Sequence, residues 1–326
     1  MKKIIAVLLS VLFTASVFAG CGTNNNTTTA DSGRIKVVAT IFPIYDWVRE
    51  VAGDDIDIDT DILLDNGVDL HSFQPTAKDI MDISDCDIFV YVGGESDKWV
   101  DETLAQAEND DMIVLDLMDI LGDAAKEEEL KEGMQGEDEE EEGEEDEPEY
   151  DEHVWLSLKN AKLFVEKIAE ALGQIDAEHA DVFRANAAAY DEKLSDLDTQ
   201  YQAAVDSAAT KTLLFGDRFP FRYLTDDYGL DYYAAFIGCS AETEASFETI
   251  MFLADKVDEL GLKTIMQIES SDGSIAKTIK ENTAGKDQQI LTLDSIQNIT
   301  RDRMDAGETY LSIMESNLTI LTQALA

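Results

Sequence analysis

The sequence predicts an α/β fold of two open parallel-sheet lobes joined by one long helix, with a ligand cleft between the lobes. Three observations carry this expectation. Strand-like and helix-like stretches alternate from Ile35 to about Gly173. The same alternation recurs from Thr212 to Leu293. Between them, Gln174 to Phe215 contains no glycine or proline and carries an apolar stripe at helical spacing. With 326 residues, 44% of them hydrophobic, the chain exceeds what one core usually serves, so two domains are the default.

In the first unit, Ile35 to Ile41 reads as a strand, Pro43 to Val51 as a helix opened by proline, and Ile56 to Leu64 as a strand. Ala77 to Ile83 reads as helix, Asp87 to Val92 as strand, Lys98 to Ala107 as helix and Met112 to Leu117 as strand. This alternation calls for a parallel sheet with helices on both faces. In the second unit the strands are Thr212 to Phe215, Tyr232 to Phe236, Thr264 to Ile268 and Ile290 to Leu293. Phe247 to Leu260 lies between them as a helix with Ser246 at its N-cap, and Tyr310 to Leu325 closes the chain as an amphipathic helix. In the connecting stretch, Phe183, Ala187, Tyr190, Leu194, Leu197, Tyr201 and Ala204 recur at spacings of four and three. A helix from Ala177 to Val205 would span roughly 40 Å, enough to bridge two small lobes. A long core helix within one domain is the alternative. The expected organisation is a signal peptide at 1–20, a tether at 21–33, an N-terminal lobe at 34–175, a linker helix at 176–206 and a C-terminal lobe at 207–326.

Lys2 and Lys3 followed by the apolar run Ile4 to Phe18 make an address segment too short for an ordinary membrane span. It ends in Phe18-Ala19-Gly20-Cys21, which resembles the lipobox of bacterial lipoproteins, where the cysteine is acylated. Cys21 is therefore the expected lipid anchor, and the expected location is extracytoplasmic at the bacterial cell membrane. Lys126 to Glu152 holds a dense acidic run and is expected to be a solvated loop that cannot enter a core. Overall, 70 acidic against 24 basic residues give a formal charge of −46. Such a surface repels nucleic-acid phosphates and anionic lipid, and attracts cations. Cys86 and Cys239 remain in the mature chain, and no disulfide between them is expected.

The chain has only three histidines. His71 follows a strand, His153 stands between the acidic run and a helix, and His179 lies near the start of the long helix. His71 and His153 fall on the carboxyl-end side of the sheet, where open α/β folds place their ligand crevice. The second unit offers acids in equivalent places: Asp217, Glu269 and Asp294 each stand at or just past a strand end. Acids there also serve as helix caps or turn formers. Together, two imidazole nitrogens and two or more carboxylate oxygens suit Zn²⁺ or Mn²⁺.

His71-Ser72-Phe73-Gln74-Pro75-Thr76 resembles the first histidine motif of the zinc- and manganese-binding proteins of ABC importers. His153-Val154-Trp155-Leu156-Ser157-Leu158-Lys159-Asn160-Ala161 is similar to that family's second motif, with leucine in place of proline. Gly307-Glu308-Thr309-Tyr310 resembles its C-terminal helix. The resemblance covers nearly the whole mature chain and implies two lobes joined by one long helix. It carries two metal ligands onto His71 and His153 and a fourth onto Asp294. The family's third ligand, a histidine or glutamate, has no counterpart in Phe215-Gly216-Asp217-Arg218-Phe219-Pro220. Asp217 is the expected substitute, with Glu269 or water as alternatives.

The implied function is capture of one divalent transition metal and its delivery to an ABC permease, by a monomer without enzymatic activity. Neutral imidazoles and ionised carboxylates would close around one dehydrated ion, and binding would weaken below about pH 6 as histidine protonates. A surface adhesin or structural lipoprotein with a weak or dead site is the alternative. A metal-dependent hydrolase is disfavoured, because no His-Glu-x-x-His or paired-histidine helix is present.

Overall fold

The structure is a computed structural model that describes residues 34–136, 149–240 and 244–326. The expected signal peptide, tether and Cys21 anchor, and most of the acidic run, lie outside the described residues. Four strands build the first sheet: β1 (Lys36–Ala39), β2 (Asp59–Ile62), β3 (Ile88–Tyr91) and β4 (Ile113–Asp116), all parallel in the order β2-β1-β3-β4. The second sheet repeats that plan with β5 (Thr212–Phe219), β6 (Asp231–Ile237), β7 (Thr264–Ile268) and β8 (Gln289–Leu293), again parallel, in the order β6-β5-β7-β8. In both sheets the direction of growth reverses beside the first strand, and the crevice at such a switch point lies at the strands' carboxyl ends.

Helix α1 (Phe42–Ala52) begins with proline in its first turn and ends at Gly53, whose φ of 70° suits a residue without Cβ. It presents Trp47 to the core, 5.9 Å from Phe164 and 5.1 Å from Tyr310 between ring centroids. Helix α2 (Ala77–Ser84) opens with a capping box between Thr76 and Asp79. Short helices α3 (Trp99–Leu104) and α4 (Leu117–Leu121) follow β3 and β4.

Helices α5 (Leu158–Ile175) and α6 (Ala180–Asp206) connect the two sheets. The long helix starts later than its composition suggests, because the Asp176 carboxylate accepts the backbone N–H groups of Glu178 and His179 and turns the chain between α5 and α6. Its buried stripe follows the expected spacing but closes on Val205 rather than Ala204. The stripe packs on α5, α1 and α11 (Tyr310–Ala324), and Tyr201 donates its hydroxyl proton to the Met314 carbonyl at 2.7 Å. One continuous apolar core runs from β1 through α5 and α6 to Met266 and Leu293, so the sheets share a single rigid spine. A smaller core lies in the second lobe beneath α8 (Phe247–Leu260) and α9 (Ser274–Asn282).

Direct contacts also cross between the lobes. Trp155 Nε1 donates to the Ser295 carbonyl at 2.9 Å, and Tyr310 Oη donates to the Trp155 carbonyl at 2.7 Å. Arg218 pairs with Asp69, and Arg301 with Asp65.

Two expectations need correction. β5 does not stop at Phe215. It continues through Gly216, Asp217 and Arg218 to Phe219, with a register shift against β6 between Phe215 and Arg218. Glycine is needed at 216 because a Cβ there would stand 2.6 Å from the Ala276 Cα of α9. The acidic connection is also not solvated along its whole length. Gln135 donates its N–H to the Ala235 carbonyl and bridges beside β6, while Asp151 and Glu152 are buried. The described ends of that connection therefore form a strap across the second sheet.

Candidate metal centre

His71 sits in a single helical turn, Leu70–Ser72, held by the Asp69 carboxylate, which accepts the His71 backbone N–H at 3.1 Å. Its Nδ1 lies 2.7 Å from Ser96 Oγ and 3.4 Å from Glu152 Oε2. Glu152 in turn accepts the Ser96 N–H at 2.9 Å. Gly94 lets this carboxylate in: its φ is 81°, and a Cβ there would lie 2.4 Å from Glu152 Oε1.

His153 is fully buried at the start of the turn Val154–Leu156. Asp151 Oδ1 accepts from its backbone N–H at 2.8 Å and lies 3.0 Å from its Nδ1. An ionised carboxylate only accepts, so Nδ1 carries the proton and Nε2 keeps its lone pair. The two Nε2 atoms face each other at 3.3 Å. With both Nδ1 atoms turned to oxygen partners, the two Nε2 atoms point at one spot, which suits a shared proton or a cation.

Cys239 completes the cluster. One donor atom each from His71, His153 and Cys239 lie within 4.8 Å of one another, and no other such group of three occurs among the described residues. Cys239 follows β6, and its backbone N–H donates to Glu128 Oε1 at 3.1 Å from the strap. Gly238 permits the approach, since a Cβ there would meet the His153 ring at 3.1 Å. A cavity of about 230 Å³ opens onto this cluster, lined among others by His71, Ser96, Glu128, Glu152 and Cys239.

The charges around the cluster are predominantly negative. Burial works against protonation of His153, but the Asp151 carboxylate outweighs it and raises the imidazole above its ordinary value. Burial pushes the Glu152 carboxyl up, yet hydrogen bonds to His71 and Ser96 hold it below the usual range. Burial, followed by Asp151 and Glu128, pushes the Cys239 thiol well up.

The expected carboxylate ligands do not join this group. Asp217 stands inside β5 at its bulge, where its oxygens accept the N–H groups of Arg218 at 2.9 Å and Ile268 at 3.3 Å. It lines a second cavity, of about 440 Å³, with Asp69, Arg218 and Ser270. Asp294 accepts the Ile296 N–H at 2.8 Å and pairs with Arg303 at 2.7 Å. Glu269, the alternative, accepts both the N–H and the hydroxyl of Ser295 at 2.8 Å. Burial and the neighbouring Asp294 raise its carboxyl. Each of these carboxylates accepts hydrogen bonds within the second lobe. The third histidine, His179, pairs with Asp176 at 2.6 Å at the start of α6.

The missed member is Cys239, considered in the sequence only as a disulfide partner. Both Cys86 and Cys239 are free thiols in the structure. Its signal was present: Gly238-Cys239 stands just past a strand's carboxyl end, the same kind of position as the histidines and acids singled out in the sequence.

Comparison with known proteins bears on the family and the fold. The profile of the family described as "Zinc-uptake complex component A periplasmic" matches residues 37–324. The chain is 30% identical over 325 residues to "Zinc-binding protein AdcA" of Streptococcus pyogenes, covering 98% of this chain but only 61% of the relative's length. It is 30% identical over 314 residues to "High-affinity zinc uptake system protein ZnuA" of Bacillus subtilis, covering 94% of this chain and 93% of that protein. Among solved structures it is similar to the Zn(II)-bound ZnuA-like domain of Streptococcus pneumoniae AdcA, with a TM-score of 0.69 and 29% identity over 90% of this chain and 99% of that one. Two histidines meeting in the crevice of a paired α/β fold, together with a family match along almost the whole described chain, place the protein in the zinc-uptake complex component A family.

Proposed function

We propose that this protein is the extracytoplasmic substrate-binding component of a metal ABC importer, which captures one divalent ion, Zn²⁺ in preference to Mn²⁺, and presents it to a permease. The observation that carries the reading is the 3.3 Å separation of the two Nε2 atoms, with both Nδ1 atoms tied back to oxygen partners. Two nitrogens on a tetrahedral zinc, each about 2.0–2.1 Å from the ion, stand about 3.3 Å apart. That match supports a reading in which the two side chains would need little reorganisation on binding. The zinc-binding names of the relatives support the choice of ion.

In this reading the protein performs capture rather than chemistry. The formal charge of −46 raises the local concentration of cations and steers them inward. Asp151 fixes the orientation of His153 and stabilises the positive charge arriving at its far nitrogen. Cys21 would tether the mature chain to the membrane, keeping the receptor close to its permease. No helix among the described residues is long and apolar enough to cross a membrane.

The test is the metal content of protein purified without chelator, read by native mass spectrometry with Zn²⁺ and Mn²⁺ in competition. One Zn²⁺ per chain is expected. His71→Ala and His153→Ala should each lose about 3 kcal/mol of binding free energy, a drop of about 10²-fold or more. Unaltered titration of both variants would remove the site, and a wild-type chain that takes up no metal would favour an adhesin or structural role.

A further inference from the structure

We propose that Cys239 is the third metal ligand, so that the ion is held by two imidazole nitrogens and one thiolate sulfur. The inference rests on the reading of the crevice as a metal-capture site and specifies its chemistry. Four observations lead to it. The Cys239 sulfur is the only donor from the second lobe that joins His71 and His153 in a group within 4.8 Å among the described residues. The carboxylates that could have replaced it, Asp217, Asp294 and Glu269, are engaged by backbone N–H groups and by Arg303 or Ser295. Gly238 brings the end of β6 close against the His153 ring, where a Cβ would stand 3.1 Å from it, and so sets Cys239 beside the two imidazoles. Finally, the Oε2 of Glu128 is buried without a hydrogen-bond partner among the described residues, in the same cavity as the cysteine. A buried carboxylate oxygen left unpaired costs free energy that a nearby cation recovers.

The distances allow it. On a tetrahedral zinc, a sulfur at about 2.3 Å and a nitrogen at about 2.0–2.1 Å are separated by about 3.6 Å. The observed group therefore needs no more than about 1.2 Å of closure, within reach of a cysteine rotation or a small movement of the β6 end. As the sulfur–metal bond forms, the thiol loses its proton to solvent, and the ion accepts the sulfur lone pair. No electron is transferred. Because Cys239 stands on the second lobe and both histidines on the first, coordination ties β6 to the loops that follow β2 and β4.

A sulfur ligand also decides selectivity. Thiolates favour zinc and other soft or borderline ions, whereas Mn²⁺ prefers oxygen donors. Replacing Cys239 should thus weaken Zn²⁺ much more than Mn²⁺.

The experiment uses the full chain and Co²⁺ as a spectroscopic probe for the zinc site, alongside Zn²⁺ and Mn²⁺ titrations. The wild type is expected to bind one Co²⁺ with a near-ultraviolet thiolate-to-cobalt charge-transfer band. Cys239→Ser should lose that band, with a fall of about 10²-fold in Zn²⁺ affinity and less than about tenfold in Mn²⁺ affinity. A measurement that needs no variant accompanies it: Zn²⁺ should protect Cys239 from alkylation, read peptide by peptide, with buried Cys86 as the unreactive reference. Co²⁺ bound without the band, or Cys239 alkylated equally with and without Zn²⁺, overturns the thiolate ligand while leaving the two-histidine site in place. A wild type that binds none of the three ions overturns both.

Discussion

The two lobes place ionisable side chains at the same topological position, the carboxyl ends of parallel strands, and use them differently. In the first lobe, His71 and His153 are anchored through their rear nitrogens, to Ser96 and Glu152 and to Asp151, which turns the front nitrogens toward each other in the crevice. In the second lobe, Asp217 and Asp294 spend their carboxylate oxygens on Arg218, Ile268, Ile296 and Arg303. A ligand is an atom that remains after the fold has satisfied its own hydrogen bonds. Residue type at a strand end does not meet that condition by itself. Imidazole, with two separated nitrogens, can be held by one and bind with the other, whereas a carboxylate whose oxygens already accept from N–H groups and arginine has fewer lone pairs left to offer a cation.

The most severe way to break this contrast is to remove the rear anchor. Asp151→Asn should leave the His153 ring in place but supply a weaker acceptor, lowering Zn²⁺ affinity by about 10- to 100-fold in calorimetric titration. An unchanged affinity would mean that the anchoring has no part in binding. Burial pushes the Asp46 carboxyl up to about 7, with the Tyr310 N–H working in the opposite direction. Asp46 thus offers a comparison away from the crevice: a buried acid with a backbone partner. Between the unfolded value near 3.8 and about 7 the folded state holds a proton that the unfolded state releases. Stability from this group therefore falls as pH rises through that window, by about 1.4 kcal/mol per pH unit. Asp46→Asn keeps an acceptor for the Tyr310 N–H and should remove that slope between pH 5 and 6 in denaturant titrations. A slope identical to wild type would show that Asp46 ionises normally.

The smallest effect is expected where the sequence pointed to ligands. Asp217→Asn and Asp294→Asn should each change Zn²⁺ affinity by less than about threefold while lowering stability by about 1–2 kcal/mol, because each loses part of a hydrogen-bonded support. A large loss of affinity in either variant, with folding intact, would restore the carboxylate to the metal shell.

Much of the fold was legible because its signals are local. Helix α8 spans Phe247–Leu260 as expected and begins where Ser246 predicts, since a serine cap acts within one turn, and the left-handed Gly261 ends it. β7 matches its apolar run from Thr264 to Ile268. The extension of β5 was not legible. Glycine and aspartate are poor strand residues, and only pairing with β6 and the close seat of Gly216 on α9 carry the strand through them. The same extension removed Asp217 from the loop where a ligand was sought. The strap was hidden for a related reason. Acidic composition predicts solvation, but Asp151 and Glu152 are buried against histidines in a structure that composition does not reveal. The pairing of His71 with His153 was suggested by motif and strand position, whereas Cys239 came from 86 positions beyond His153 and needed the register of β6 to bring it in.

X-ray absorption at the zinc edge on the loaded full chain tests the metal centre most directly. The expected spectrum shows the multiple scattering of two imidazoles with nitrogens at about 2.0 Å and one sulfur at about 2.3 Å. A shell of oxygen donors with at most one imidazole nitrogen would contradict an ion held between His71 and His153.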